Sequence, residues 1–260
     1  MKVAFDGADD YERLMGAWSR AAGDAFLSWW APASGARWLD VGCGTGAFTQ
    51  LVSTRCAPSS LAAVDPAPAQ IEQARRRSPD VSFQVADAMA LPFAEAEFDV
   101  VVSALVINFI PDRARGFAEM HRVLRAGGTV GAYLWDRSPG EDFSPHAPFE
   151  RGLRSIGATV LQPPVVPEST PEGARSALAR AGFVEISITT LSATRTFRSF
   201  DECWDIQTMP LAPVGKSIAA LSERERAQLR EAIRSNLPPA ADGSVTYSAR
   251  ALAYTARRPE

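Results

Sequence analysis

The residues that best suit a ligand-binding site lie in the first third of the chain and include a cluster of glycines. An apolar run from Arg37 ends in a Gly-x-Gly-x-Gly turn made by Gly42, Gly44 and Gly46. Glycine lets the backbone turn sharply and brings a ligand against main-chain amides at the start of a helix. The turn, including Cys43, is therefore predicted to line a ligand.

The acid that comes just before these glycines narrows the choice of ligand. Asp40 would repel a pyrophosphate, whereas it would attract a positively charged ligand, directly or through water. A second interpretation is that Asp40 accepts backbone amides and fixes the loop. Ala47 also completes Gly-x-Gly-x-x-Ala, the dinucleotide-binding fingerprint, so a nicotinamide or flavin enzyme stays open at this point.

Two further acids follow the next two predicted strands. Asp65, beside Pro66 and about 20 residues beyond the turn, is placed to accept both hydroxyls of a ribose. Asp87 is placed to accept from an adenine amino group, with Ala88 and Met89 covering the ring. Each acid alone could cap a helix. Because open α/β sheets bind ligands at the carboxyl ends of their strands, three acids at successive ends favour an adenosyl ligand.

The segments around these residues alternate between β-branched runs and helical patterns, as in βαβ units on a parallel sheet. Two last strands without a long crossover predict an antiparallel edge. Gly127 and Gly128 are expected to close the helix before them. The predicted strands are 36–42, 60–65, 81–86, 98–105, 128–135, 183–197 and 244–256, and the predicted helices are 10–30, 46–55, 68–77, 112–124 and 171–181.

The predicted organisation is one α/β core interrupted by two lid segments. The first lid segment is rich in proline, and the second combines a charged helical pattern with apolar residues. The predicted boundaries are 1–30 for an N-terminal capping helix, 31–136 for the cofactor-binding core, 137–170 for the first lid insertion, 171–198 for a core helix and strand, 199–239 for a helical lid insertion, and 240–260 for the last strand.

Composition excludes several classes of protein. A formal charge of −3 and a pI near 5.6 give no basic stripe for nucleic acid, and the longest apolar stretch is shorter than a membrane helix. Three scattered cysteines lack zinc spacing, and the acidic N-terminus is unlike a signal peptide, so a cytoplasmic protein without a metal is expected. The arginines at 75–77 are expected to form a solvated helix end. Oligomeric state is not readable.

Five segments carry a resemblance to a known family: LDVGCGTG, AVDPAPAQI, ADAMALPF, FDVVVSALVINFIPD and EMHRVLRAGGTVGAYLWD. In order and spacing they are similar to the motifs of class I methyltransferases, most of all the ubiquinone/menaquinone-biosynthesis-like small-molecule group. The resemblance covers 9–136 well. It implies S-adenosylmethionine as cofactor, S-adenosylhomocysteine as product, and a Rossmann-like seven-stranded, mostly parallel sheet with an antiparallel last strand and a helical or loop lid.

The resemblance also implies roles for single residues. The three glycines would line the amino-acid part of the cofactor, Asp65 would hold the ribose, and Asp87 with its two neighbours would meet the adenine. Ser103, Ala104 and Leu105 would pass beneath the sulfonium. This segment lacks the Asn/Asp-Pro-Pro-aromatic motif of enzymes that methylate adenine or amide nitrogen, so such acceptors are not expected.

The N-terminal helix resembles the family's capping helix, in which Tyr11 and Arg20 reach the cofactor, Arg20 at its carboxylate. The alternative is that Tyr11 belongs to the buried face of an amphipathic helix, together with Leu14, Met15 and Trp18.

Methyl transfer from a sulfonium needs mainly proximity, alignment and exclusion of water, so a base is optional. His146 is the candidate base, although loop histidines are often inert, and His121 is expected to be a packing or surface residue.

We expect a small apolar or aromatic acceptor, methylated on oxygen or carbon. A nicotinamide oxidoreductase and a non-catalytic binding protein are the alternatives. One set of apolar residues has two interpretations: it forms the wall of the acceptor pocket, or it forms the core of the lid. The set is Trp135, Phe143, Phe149, Trp204 and Met209.

Overall fold

The computed structural model describes residues 12–137, 143–161 and 165–260. In these ranges a π-helical turn at Glu12–Gly16 leads into α1, and short 3₁₀ turns lie at Ile107–Phe109 and Pro167–Ser169. The strands are β1 (Arg37–Val41), β2 (Ser60–Asp65), β3 (Ser82–Val85), β4 (Phe98–Ala104), β5 (Leu124–Trp135), β6 (Val184–Phe197) and β7 (Val245–Arg257). The helices are α1 (Ala17–Trp30), α2 (Ala47–Cys56), α3 (Pro68–Arg77), α4 (Arg113–Val123), α5 (Ala147–Ser155), α6 (Pro171–Arg180), α7 (Phe200–Gln207), α8 (Pro213–Ala219) and α9 (Glu223–Asn236).

The strands form one seven-stranded sheet in the order β3-β2-β1-β4-β5-β7-β6. The pairings from β3 through to β5 are parallel, and β7 runs antiparallel to both of its neighbours. The prediction of a mostly parallel sheet with an antiparallel last strand is confirmed. The helices predicted for the core also form, with ends within two residues of the predicted ones except at the N-terminus, where residues 10 and 11 lie outside the described ranges.

Local signals explain where the helices begin. Asp112 accepts a hydrogen bond from the first turn of α4, and Thr170 and Ser199 do the same for α6 and α7. Ser222 and Glu225 form a reciprocal capping box at the start of α9. These caps satisfy amides that a helix cannot pair by itself.

Apolar side chains cover both faces of the sheet. Helices α1 and α2 pack on one face around Trp18, Phe26 and Val52, while α4 and α6 pack on the other around Phe117 and Leu178. Strands buried on both faces have nearly continuous apolar sequences, as in the central β4.

The antiparallel pair β6 and β7 reaches beyond the rest of the sheet. β5 ends where Trp135 pairs with Ala251, but β6 and β7 stay paired as far as Phe197 and Val245. This extension lies past the carboxyl end of β5, on the side of the sheet where α/β proteins bind ligands. Helix α1 packs against β6.

One expectation about the glycines at the start of β5 was wrong. Gly127 and Gly128 do not close α4, because that helix ends at Val123 and β5 begins at once with Leu124. The glycines lie inside the strand, where its register with β4 shifts. Gly127 has φ +68°, and a side chain on Gly128 would collide with the Asp99 carbonyl. Both positions therefore need glycine for a bulge and a close backbone approach.

Candidate active site

The glycine-rich turn lies between β1 and α2, and its conformation requires glycine. Gly42, Gly44 and Gly46 have φ angles of +82°, +54° and +78°. The amides of Gly42 and Cys43 donate to the Val64 carbonyl at the end of β2, at 2.8 and 2.9 Å. A side chain on Gly42 would overlap Val106, and one on Gly46 would press on α3. At Gly44 no other atom lies within 4 Å of the Cβ position, so the middle of the turn faces open space.

Asp65 ties the turn to the end of the neighbouring strand. Its Oδ2 accepts from the Gly44 amide at 3.0 Å, and its Oδ1 accepts from the Ala67 amide at 2.9 Å. Burial raises the pKa of Asp65, and these two hydrogen bonds oppose that rise. A carboxylate has about four lone-pair sites. Asp65 therefore keeps acceptor capacity next to the open space above Gly44.

Asp40 is fully buried beneath the turn. Its Oδ2 accepts from the Thr49 hydroxyl at 2.6 Å, while its Oδ1 has no hydrogen-bond partner in the described ranges. Burial raises the pKa of Asp40 to about 7, and the negative charge of Asp65 adds to the rise. The alternative in which Asp40 fixes the loop through backbone amides is wrong, because its hydrogen bond is to a side chain on α2.

Asp87 lies one strand further along, after β3. Its Oδ1 accepts from the Met89 amide at 2.8 Å, and its backbone pairs with Ala90. Asp87 is exposed, whereas Ala88 and Met89 are partly buried. Since β3, β2 and β1 are adjacent, the three acids lie at three neighbouring carboxyl ends, as the sequence predicts.

The end of β4 completes this edge. The Ser103 hydroxyl is buried and donates to the Val41 carbonyl at 3.1 Å, so it joins β4 to β1. Leu105 has φ +62°, which is unusual for a side chain of this size, and its amide donates to the Tyr133 carbonyl at 2.8 Å. Such strain occurs preferentially at functional sites. Ala104 and Leu105 are both partly buried.

The other predicted contacts at this edge have clear positions. Cys43 packs in a small apolar cluster with Ala63, Ile71 and Phe83, and burial raises the pKa of its thiol. Pro66 is exposed. The cofactor-binding roles predicted for these residues stay predictions.

A chain of charged side chains links the N-terminal segment to the glycine turn. Arg20 pairs with Glu12, which also lies 3.5 Å from Arg77 of α3. Arg77 donates to the carbonyl and to the hydroxyl of Thr45, both at 3.1 Å. Of the three arginines expected to be solvated, Arg77 is therefore an exception. The predicted role of Arg20 is untested, and Tyr11 lies outside the described residues.

A row of stacked side chains on the β6–β7 extension joins the N-terminal segment to the lid. Arg195 donates to the carbonyls of Leu14 and Arg13 at 2.9 and 3.1 Å, and its guanidinium lies 4.3 Å from the Phe197 ring centre. Phe197 stacks on Tyr247 at 5.8 Å.

The same row continues into the helix and into the lid. Tyr247 lies 4.9 Å from Trp18 of α1, and its hydroxyl donates to the Pro145 carbonyl at 3.0 Å. Burial lowers the pKa of Arg195 and raises that of Tyr247. The paired strands β6 and β7 thus hold two segments that flank the site.

His146 is buried at the N-terminus of α5, beside this extension. Its carbonyl accepts from the amides of Phe149 and Glu150, both at 3.0 Å. Its predicted role as a base stays a prediction. His121 packs edge-on against Phe183 at 4.9 Å, as expected of a packing residue.

The predicted aromatic wall is mostly one cluster. Trp135, Phe149, Trp204 and Met209 belong to the same apolar cluster. Phe143 instead lies under the guanidinium of Arg250, 3.1 Å from its ring centre. The apolar side chains of the predicted lid segments thus share one cluster with Trp135 at the end of β5.

Sequence reasoning missed three residues that support the site: Thr49, Arg77 and Arg195. Their partners come from other elements, so no local pattern indicates them. In the described ranges no group of three His, Cys, Asp or Glu side chains could hold a metal, and no helix there is long and apolar enough to cross a membrane.

This strand order, with its one antiparallel strand, is the fold of class I methyltransferases, as the motif resemblance implies. The chain matches, with a TM-score of 0.57 and 19% identity, a Haemonchus contortus phosphoethanolamine N-methyltransferase 2 solved with phosphomonomethylethanolamine and S-adenosylhomocysteine, over 97% of this chain and 57% of that one. At this identity the likeness shows the fold alone.

The sequence comparisons relate the core of the chain to methyltransferases. Residues 39–131 match the family described as a methyltransferase domain. The chain is 39% identical over 103 residues to a ubiquinone/menaquinone biosynthesis C-methyltransferase of Geotalea uraniireducens, covering 37% of this chain and 44% of the relative. It is 30% identical over 129 residues to a malonyl-[acyl-carrier protein] O-methyltransferase of Serratia marcescens, covering 47% and 50%. The chain thus spans half or less of these relatives, and its likeness to them lies in its core, where residues 39–131 match the methyltransferase-domain model.

Proposed function

We propose that the chain is an S-adenosylmethionine-dependent methyltransferase that methylates a small apolar or aromatic molecule on oxygen or carbon. When bound, the cofactor supplies a methyl group on a sulfonium; the bond from the acceptor to this carbon forms as the C–S bond breaks, the sulfur keeps the electron pair, and the acceptor's proton leaves to water or a base. The chain's own residues bind, orient and exclude water.

The observation that carries the proposal is the combination of open space at Gly44 with the two acids beside it. Asp65 retains acceptor capacity for ribose hydroxyls, and the buried Asp40 Oδ1 lacks a hydrogen-bond partner in the described ranges. A ligand with a positive charge would stabilise the ionised form of Asp40, which burial otherwise disfavours. The residues present therefore fit an adenosyl ligand that carries an ammonium and a sulfonium.

The same acids argue against a dinucleotide. A pyrophosphate above the turn would face Asp40 and Asp65 together, and in a partly buried site this repulsion is little screened by solvent. The nicotinamide alternative therefore has less physical support than the methyltransferase.

Calorimetry distinguishes these alternatives. We expect S-adenosylhomocysteine to bind with one-to-one stoichiometry and NADH to give no heat of binding. Binding of NADH alone would overturn the proposal. A second assay, transfer of a labelled methyl group to a small-molecule filtrate of a cell extract, separates an enzyme from a non-catalytic binding protein.

The acceptor is proposed from the lid and not from the relatives. The three named proteins are a C-methyltransferase, an O-methyltransferase and an N-methyltransferase, so their names do not fix an acceptor atom. The cluster of Trp135, Phe149, Trp204 and Met209 favours an apolar or aromatic molecule. His146 is the candidate base for an alcohol acceptor. The three free, buried cysteines fit a cytoplasmic location.

A further inference from the structure

Gln207 is the last residue of α7 and is completely buried. It shares one face of the helix with Phe200, Cys203 and Trp204, at the three, four and seven residue spacing of a buried stripe. The other three members of this stripe are apolar or weakly polar. An amide at the fourth position is out of place in such a stripe unless it binds something.

The side-chain amide of Gln207 has no partner for either of its polar atoms. Both Nε2 and Oε1 are buried without a hydrogen bond in the described part of the chain. The other unpaired buried groups of the described residues, such as the hydroxyl of Tyr254, are single atoms. Burying an unpaired amide costs free energy, so a group that satisfies both donor and acceptor is favoured at this position.

The surroundings of Gln207 connect it to the site. Trp204 and Ile206, on the same helix, lie in the apolar cluster that includes Val102 of β4. Leu105 and Trp135, at the carboxyl ends of β4 and β5, pack against that cluster. Helix α7 also contacts the N-terminal turn at Glu12–Gly16. Gln207 thus lies on a helix of the predicted second lid segment, next to residues whose apolar cluster extends to the carboxyl ends of β4 and β5.

We propose that Gln207 is the polar contact of the acceptor subsite and that it binds a hydroxyl group on an otherwise apolar, aromatic molecule. A hydroxyl is the smallest group that can accept from Nε2 and donate to Oε1 at once. An amide does not titrate, so Gln207 selects and orients the acceptor and takes no proton from it. This inference rests on the proposed function, since an acceptor subsite requires a methyl donor beside it.

The test uses the protein saturated with S-adenosylhomocysteine and two probes, 4-propylphenol and propylbenzene, which differ by one hydroxyl. We expect the wild type to bind the phenol about tenfold more tightly, as one well-made hydrogen-bonding pair provides. Gln207→Met keeps the length and removes the amide. This variant should lose the preference because it binds 4-propylphenol more weakly, while propylbenzene and S-adenosylhomocysteine bind as before.

Tyr254→Phe is the matched control. It also removes an unpaired buried group, but in the cluster on the opposite face of the sheet. This variant should keep the preference for phenol. Gln207→Met should be at least as stable to heat as the wild type, because it removes an unpaired amide.

Several outcomes would overturn the subsite. The first is a preference for the phenol that persists in Gln207→Met, and the second is equal or absent binding of the two probes by the wild type. The third is a marked loss of stability or of S-adenosylhomocysteine binding in the variant, which would make the amide structural. Failure of the wild type to bind S-adenosylhomocysteine would instead contradict the proposed function.

Discussion

At the scale of single residues, two aspartates of the site differ in what surrounds them. Asp65 accepts two backbone amides, so it shapes the turn while keeping lone pairs for a ligand. Asp40 has a single hydroxyl partner and no access to solvent, so its charge is costly until a cation comes near. Asp65 is therefore structural as well as a proposed binding residue, whereas Asp40 is proposed to respond to the charge of the ligand.

Asp65→Asn tests the first of these roles. An asparagine can accept only with its oxygen, and its NH₂ group would face one of the two amides that Asp65 now binds. We expect affinity for S-adenosylhomocysteine to fall by roughly ten- to a hundredfold, the range for a lost hydrogen bond to a charged group. Calorimetric titration at constant pH measures the change.

Asp242→Asn is the control for this substitution. Asp242 also accepts a backbone amide in a tight turn, from Ser244 at 3.0 Å, but it is exposed and lies before β7. Its variant should bind S-adenosylhomocysteine like the wild type. Equal affinity losses in the two variants would contradict a specific role for Asp65.

How much of the site could be read from the sequence depends on whether a residue's partner is local. The glycines and acids were predictable because a strand, a turn and a helix start place them in fixed order. Arg77 and Thr49 were not, because each acts on a loop or acid of another element. Ser103 and Cys43 fall at the predicted edge, but their side chains turn toward the sheet and a neighbouring cluster, which spacing cannot reveal.

At the scale of elements, the β6–β7 extension carries both segments that flank the site. Arg195 holds two carbonyls of the N-terminal turn, and Tyr247 holds the carbonyl before α5. Arg195 has no carboxylate partner in the described ranges, so its charge is balanced by carbonyl dipoles and the Phe197 ring. The turn at Glu12–Gly16 therefore depends on a residue far away in sequence.

Arg195→Met should loosen that turn without unfolding the core. Loss of two charge-assisted hydrogen bonds should speed tryptic cleavage after Arg13 and Arg20 by roughly tenfold or more. Mass spectrometry of early time points identifies the cuts. S-adenosylhomocysteine affinity should fall in parallel, because the turn lies against the glycine loop through Arg77.

Arg198→Met provides the comparison for this experiment. Arg198 lies just past the same strand but is exposed and pairs with Glu202. Its variant should be cleaved at the wild-type rate. If Arg195→Met were cleaved no faster than Arg198→Met, the extension would not hold the N-terminal segment.

The glycine turn makes a second prediction at this scale. Gly42→Ala adds a methyl group at φ +82°, where it would also overlap Val106. Gly35→Ala has a similar φ of +76° but no atom within 4 Å. We expect Gly35→Ala to cost about 1 kcal/mol of unfolding free energy from backbone strain alone.

Gly42→Ala should cost about 2 kcal/mol more than Gly35→Ala, because overpacking adds to the strain. It should also weaken S-adenosylhomocysteine binding, which Gly35→Ala should not. Chemical denaturation measures the first effect and calorimetry the second. Equal unfolding free energies of the two variants would mean that the turn moves away from Val106 without loss of stability.

The fold itself was largely predictable, and for a physical reason. Strands β1 to β4 are short and largely apolar, and α3, α4 and α6 begin with a proline or a capping side chain, so the hydrophobic period and the helix-start signals agree. The start of β5 was missed because the helix passes directly into a strand at Leu124, with no loop to mark the change. The length of the β6–β7 extension is set by pairing between distant segments.

At the scale of the whole molecule, the buried acid of the site affects global stability. Burial raises the pKa of Asp40 to about 7 in the folded state, whereas an unfolded chain has an aspartate of ordinary pKa. Between about pH 4 and pH 7 the folded state therefore binds more protons than the unfolded state. The stabilising contribution of neutral Asp40 is complete below this window and is lost as the pH rises through about 7.

Other groups oppose this trend. Arg37 and Arg125 hold the pKa of Asp99 well below its usual range, and its contribution is lost as the pH falls. The two effects have opposite signs, so the pH profile of the wild type alone does not separate them. A comparison with Asp40→Asn does, because both proteins share every other group.

Asp40→Asn keeps the shape and the ability to accept from Thr49 but has no charge to bury. We expect its unfolding free energy to equal that of the wild type near pH 4 and to exceed it by up to about 4 kcal/mol at pH 8, from a shift of about three pKa units. Urea denaturation at a series of pH values measures the difference. The variant should gain stability while losing affinity for S-adenosylhomocysteine, since the ammonium of that ligand would no longer meet a negative charge. Parallel stability curves with unchanged affinity would show that Asp40 is not charged at neutral pH when the ligand binds, and would remove the electrostatic basis of the proposed site.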